Sequence, residues 1–133
     1  MASRPVRKLV PAAAHKDAAG SALRAFFNIA SAWELSTAQQ RVLLGNPPPS
    51  TFFKWKKEGR GALSRDVLER ISYVLGIYKD LQILIPVPER ADRWISSPNT
   101  APMFGGQSAL DRMLGGNVAD LYSVRQYLDA QRG

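Results

Sequence analysis

Four basic side chains, Lys54, Lys56, Lys57 and Arg60, fall within seven residues, just after the hydroxyls of Ser50 and Thr51. Ammonium and guanidinium groups at this density neutralise phosphates, and hydroxyls can donate to phosphate oxygens or base edges. Lysines read bases poorly, so any sequence preference must come from Ser50, Thr51 or Phe53, or from a dimer. The spacing leaves Phe53 open between core, a dimer contact and a contact to a thymine methyl. Other chemistries lack parts. His15 is the single histidine and there is no cysteine, which removes thiol nucleophiles, thiolate metal sites and disulfides. No carboxylate pair or metal-ligand cluster shows in the spacing. Gly105-Gly106-Gln107-Ser108 opens a helix and could hold an anion, but no lysine accompanies it. Catalysis, a metal and a cofactor are therefore not expected.

The charge is unevenly placed. Residues 1–96 carry fifteen Lys/Arg and eight Asp/Glu, whereas residues 97–133 carry three of each, so the formal +7 belongs wholly to the first part. A basic part attracts an anionic partner such as nucleic acid, in a salt-dependent way. The balanced tail has the turn-then-amphipathic-helix layout of a surface for another protein. At 133 residues with 45% apolar content, the chain suits one domain, or one domain with an appendage. The first residues lack the apolar run of a secretory signal. No window approaches the roughly 18–20 apolar residues that span a bilayer. A soluble cytoplasmic protein is expected.

The elements that must position these groups read as all-α. Residues 1–16 show no period and suit a basic arm. From Asp17 a helix carries Ala22, Leu23, Phe26, Ile29, Ala30 and Trp33 as one apolar stripe. Ser36 offers an N-cap to Thr37–Leu44, with Ala38, Val42 and Leu43 inward, and Gly45 ends it. Asn46 and three prolines form the turn. Ser50 is placed to cap Thr51–Glu58, whose Phe52 and Trp55 face the core. Ser64 caps a longer helix with Val67, Leu68, Ile71, Val74, Leu75 and Tyr78 on one face, and Gly76 can bend or divide it near Ile77. Pro88–Ile95 reads as a short helix burying Ala91 and Trp94, residues 96–107 as a loop, and Ser108–Leu114 and Val118–Ala130 as the last two helices. The layout is a helix-turn-helix bundle with a small C-terminal helical region, divided at 1–16, 17–85 and 86–133. The stripes around Phe26 and Phe53 suggest a homodimer, since such modules usually read two half-sites.

The ordered residues Ser50-Thr51-x-x-Lys54-Trp55, Leu63-Ser64-x-Asp66, Arg70-Ile71 and Leu75-Gly76-Ile77-Tyr78 are followed by Leu81, Ala91-Asp92-Arg93-Trp94-Ile95 and Pro98-Asn99. Phe104-Gly105-Gly106-Gln107-Ser108-Ala109-Leu110, Met113-Leu114, Gly115-Gly116 and Val124-Arg125-Gln126-Tyr127-Leu128 complete the series. This set resembles the Xre/MbcA/ParS family of bacterial antitoxins from about residue 20 to the C-terminus. One departure is Ala109-Leu110, where family members often have Pro-Leu; Ser108 can still cap that helix. The resemblance implies an antitoxin that neutralises a cognate RES-domain toxin, an enzyme consuming NAD⁺, and that binds its own promoter DNA. It places toxin contacts at Asn99, Phe104, Gly105, Gly106, Arg125, Tyr127 and Leu128, with Arg132 and Gly133 near the toxin's cleft. Arg125 leads, because a guanidinium pairs bidentately with carboxylates. Read from the residues alone, Phe104, Tyr127 and Leu128 serve equally to close the C-terminal unit, and a stand-alone regulator fits the helix-turn-helix equally well.

Overall fold

The computed structural model describes the backbone of residues 12–133 and side chains from Ala18 onward. Seven helices follow one another among these residues: α1 (Ala12–Ala32), α2 (Thr37–Leu43), α3 (Pro49–Glu58), α4 (Arg65–Leu84), α5 (Pro88–Trp94), α6 (Ala109–Met113) and α7 (Val118–Arg132). Extended structure among the described residues is limited to an isolated antiparallel bridge between Pro98 and Ser108. The all-α expectation is met. The helix begins earlier than Asp17, so residues 12–16 of the expected arm are helical, while residues 1–11 lie outside the described residues.

Local signals start and stop most of these helices. Ser36 and Ser108 each form a capping box, with Gln39 and Asp111 as the reciprocal partners, and Ser64 Oγ accepts from Val67 N at 3.2 Å. Each cap satisfies an amide that the first helical turn would leave unpaired. Helix α3 starts differently from the expectation. Pro48 occupies its N-cap and Pro49 its first position, with no side-chain cap bond, so Ser50 sits inside the first turn. Proline has no amide to lose there and its φ is already helical. Arg41 stitches the preceding turn by donating from Nε and Nη2 to the Pro47 carbonyl at 3.2 and 3.0 Å. Gly59 closes α3 in the left-handed region at φ 66° and donates to the Trp55 carbonyl, a conformation that costs an L side chain.

The core is continuous from Leu23 to Leu128 and includes Phe26, Phe52, Ile71, Val74, Ile77, Leu81, Ile95, Met113, Leu121 and Val124. Helix α4 is its axis. It packs on α1 on one side and on α5 and α7 on others, while α3 rests on α1 and α6 on α7. Three inward assignments change. In α2, Ala38 is exposed and Gln40 is buried instead, its Nε2 donating to the Leu35 carbonyl at 2.9 Å. Leu68 is exposed, and Trp94 is half-buried beside a fully buried Ile95. Phe26 is 1% exposed, so it belongs to the core and contributes nothing to a dimer face. Gly76 does not divide α4, which runs unbroken for 20 residues; the glycine is there for a contact made across the bundle.

Candidate nucleic-acid and toxin interfaces

Helix α3 lies on the surface with two faces. Phe52 and Trp55 are buried, whereas Ser50, Lys54, Lys56 and Lys57 are exposed, Thr51 is half-buried, and Arg60 is exposed just past the helix. The structure therefore brings the expected DNA-binding residues onto one short element. Arg60 Nε stands 3.8 Å from Glu58 Oε1, with the guanidinium largely solvated and the carboxylate partly so, a pairing too weak to withdraw the guanidinium from a phosphate. Trp55 fixes how α3 sits, because its indole lies over Gly61, where any Cβ would collide with it. Arg24 of α1 donates to the Gly59 carbonyl at 2.9 Å and ties down the other end. The result is a braced helix whose outer surface is cationic, which suits contact with a phosphate backbone. Helix α2, the Gly45–Pro48 turn and α3 follow one another in helix-turn-helix order, with Gly45 and Asn46 both at positive φ, 89° and 59°.

The nine residues expected at the toxin surface fall into different environments. Asn99 shapes its loop: its Oδ1 accepts from Ala101 N at 2.9 Å, and its carbonyl accepts from Gly106 N at 2.9 Å. Gly105 and Gly106 are exposed at φ 59° and 90° with open space around them. Phe104, at 6% exposed, is wedged edge-on between Trp94 and Tyr127, with ring centroids 6.0 and 5.2 Å away. Leu128 is 2% exposed. Both side chains belong to the core. Tyr127 is half-buried and, with Leu128, lines a notch of about 190 Å³ alongside Leu81, Leu84, Ile85, Trp94 and Gln131. Gly133 is exposed.

Arg125 and Arg132 are anchored to α4. Arg125 lies across Gly76, where a Cβ would overlap its guanidinium, and its Nη1 donates to the Ser72 carbonyl at 3.4 Å. It also pairs with Asp129 at 3.7 Å. Arg132 Nη1 donates to Asp80 Oδ1 at 2.9 Å. Asp80 is 2% exposed, and Asp129 of α7 approaches it, so two carboxyls meet that the spacing did not suggest. The hydrogen bond to Asp80 holds the Asp129 pKa above the ordinary carboxylate value, helped by desolvation and the Asp80 charge and opposed by Arg125 and Arg132. Tied into arginines on the bundle surface, this pair is a clasp between α4 and α7. Among residues whose side chains are described, no group of three His, Asp or Glu is placed to hold a metal ion, and no helix is long and apolar enough to cross a membrane.

Residues 12–76 match the antitoxin Xre-like helix-turn-helix domain, and residues 80–133 match the antitoxin Xre/MbcA/ParS C-terminal toxin-binding domain. The chain is 59% identical over 111 residues, 84% of each chain, to the uncharacterized protein y4oB of Sinorhizobium fredii (strain NBRC 101917 / NGR234). The two matched domains account for the two surfaces: a cationic helix-turn-helix for DNA and a C-terminal region for a toxin. With both domains present in order, the chain belongs to the Xre/MbcA/ParS family of antitoxins, DNA-binding partners of toxins in toxin–antitoxin systems.

Proposed function

We propose that this antitoxin neutralises a RES-domain, NAD⁺-consuming toxin by covering its active site with the C-terminal region, and that α3 binds the operon's own promoter as an autorepressor. The observation carrying the DNA half is the exposed Lys54, Lys56 and Lys57 on a braced helix, with Arg60 exposed just past its end. The toxin half rests on the matched toxin-binding domain and on the RES partner that the family resemblance implies. Arg125, Tyr127, Arg132 and Gly133 are the proposed contacts on α7 and its end, with Asn99, Gly105 and Gly106 on the preceding loop; Phe104 and Leu128 hold that surface in shape. A homodimer would set two copies of α3 on half-sites about one DNA turn apart.

The test is co-purification with the product of the adjacent gene, followed by an NAD⁺-consumption assay of that partner. Arg125→Ala/Tyr127→Ala should weaken suppression of NAD⁺ loss and leave promoter binding intact. Lys54→Ala/Lys57→Ala should do the reverse, and should reduce the salt slope of promoter binding by about one for each lysine. A neighbour that does not bind, or whose NAD⁺ consumption is unaffected, overturns the toxin half; a plain transcriptional regulator would then account for the chain.

A further inference from the structure

One exposed group on α3 is not explained by phosphate binding. Phe53 is 52% exposed although it directly follows Phe52, which is fully buried. Its ring packs edge-on against Phe52 with centroids 5.2 Å apart; Phe52 packs likewise on Phe27 at 5.7 Å, and Phe27 on Phe26 at 5.5 Å. A relay of four aromatic rings thus runs from the core to the surface and orients the outermost one. Edge-to-face pairs of this kind hold ring geometry beyond what burial alone gives.

The neighbours of Phe53 decide what it suits. Ser50, Phe53, Lys54 and Lys57 stand at i, i+3, i+4 and i+7, one face of the helix, and all four are exposed. An apolar ring therefore shares an exposed face with two lysines. A second copy of this chain docked symmetrically on the face would bring lysines against lysines. A polyanion with an apolar group between its charges fits instead. In the major groove that group is the thymine C5-methyl, the one apolar feature among the base edges there.

We propose that Phe53 is the base-reading residue of this helix, its ring packed against a thymine methyl while Lys54 and Lys57 hold flanking phosphates. This rests on the DNA-binding reading above and adds what it reads. The lysines supply affinity for any duplex; Phe53 supplies discrimination for T·A at the position it meets. Removing one buried methyl corresponds to a loss of about fourfold in affinity.

The experiment is a fluorescence-anisotropy titration at fixed salt with a duplex taken from immediately upstream of the coding sequence. The duplex is made once with thymine and once with deoxyuridine throughout, which deletes every thymine methyl. The unsubstituted protein should bind the uracil duplex about fourfold more weakly per contacted thymine. Phe53→Ala should bind both duplexes equally, and Phe53→Leu should keep part of the preference. Phe53 is itself exposed and lies outside the core, so circular dichroism and light-scattering mass should match the unsubstituted protein. Equal binding of both duplexes by the unsubstituted protein overturns the proposal, as does a uracil penalty that survives Phe53→Ala. A mass change in Phe53→Ala would assign the ring to a contact between copies. If neither duplex is bound in a salt-sensitive way, the DNA-binding reading falls and takes Phe53 with it; salt-sensitive binding without a uracil penalty sinks the Phe53 proposal alone.

Discussion

At the scale of single residues, two contacts between α4 and α7 have consequences that can be measured. Gly76 leaves room for the Arg125 guanidinium, the flexible end of a long side chain. Gly76→Ala should therefore displace Arg125 without unfolding the chain, and an exchange of Gly for Ala in a helix interior favours folding by about 1 kcal/mol. The expected result is a Tm equal to or above that of the unsubstituted protein, with weaker suppression of the toxin. A large fall in Tm would mean that Arg125 cannot move aside. Asp129 provides the second case. Because its folded pKa lies above its unfolded value of 3.8, the folded chain holds that proton more tightly. Its contribution to stability is therefore greatest below 3.8 and is lost as pH rises through the folded pKa. Above its folded pKa the Asp129 charge is disfavoured beside Asp80, and Asp129→Asn keeps a donor for Asp80 without that charge. The substitution should raise Tm at neutral pH and lose that advantage once pH falls below the ordinary carboxylate value; thermal melts at both conditions decide it.

At the scale of elements, three helix starts follow from serine capping, whereas α3, α5 and α7 begin without a side-chain cap bond. Serines 36, 64 and 108 each accept from a backbone amide three residues on, and a serine followed by a helical pattern announces this in the sequence. Ser50 has the same residue type and no such role, because the Pro48-Pro49 pair had already begun the helix. The contrast is testable by chemical denaturation. Ser108→Ala should cost about 1 kcal/mol, the typical worth of an N-cap, whereas Ser50→Ala should leave stability nearly unchanged. Any loss in the second variant should appear in DNA affinity alone. The inward face of α2 departs from expectation in part: Leu43 is buried as expected, but Ala38 is exposed and Gln40 is buried instead, and a buried glutamine looks like a solvent residue until its partner, the Leu35 carbonyl, is known.

At the scale of the whole molecule, the two matched domains are not separate bodies. Their boundary, between residues 76 and 80, falls inside α4, and one core runs through both. The tail is therefore no appendage. Removing residues 97–133 would uncover the face of α4 that α7 covers and strip partners from Asp80, Tyr73 and Gly76. A fragment ending at residue 96 should lose the cooperative thermal transition and aggregate, visible by circular dichroism and size-exclusion chromatography; a fragment that melts cooperatively as a monomer would show that the helix-turn-helix folds alone. What the sequence determined by itself is what depends on residue type and near neighbours: the all-α class, the serine caps, the stripe from Leu23 to Trp33, the uneven charge and the basic row on α3. The ordered motif set pointed to the family for the same reason, since it needs no three-dimensional contact to be read. Only the tertiary structure decided the rest. Phe104 and Leu128 are core, Phe53 is exposed at the end of an aromatic relay, Gly76 lies beneath Arg125, and Asp80 joins Asp129 and Arg132. Each of these depends on which elements meet across the bundle, and periodicity along one helix carries no information about the helix packed against it.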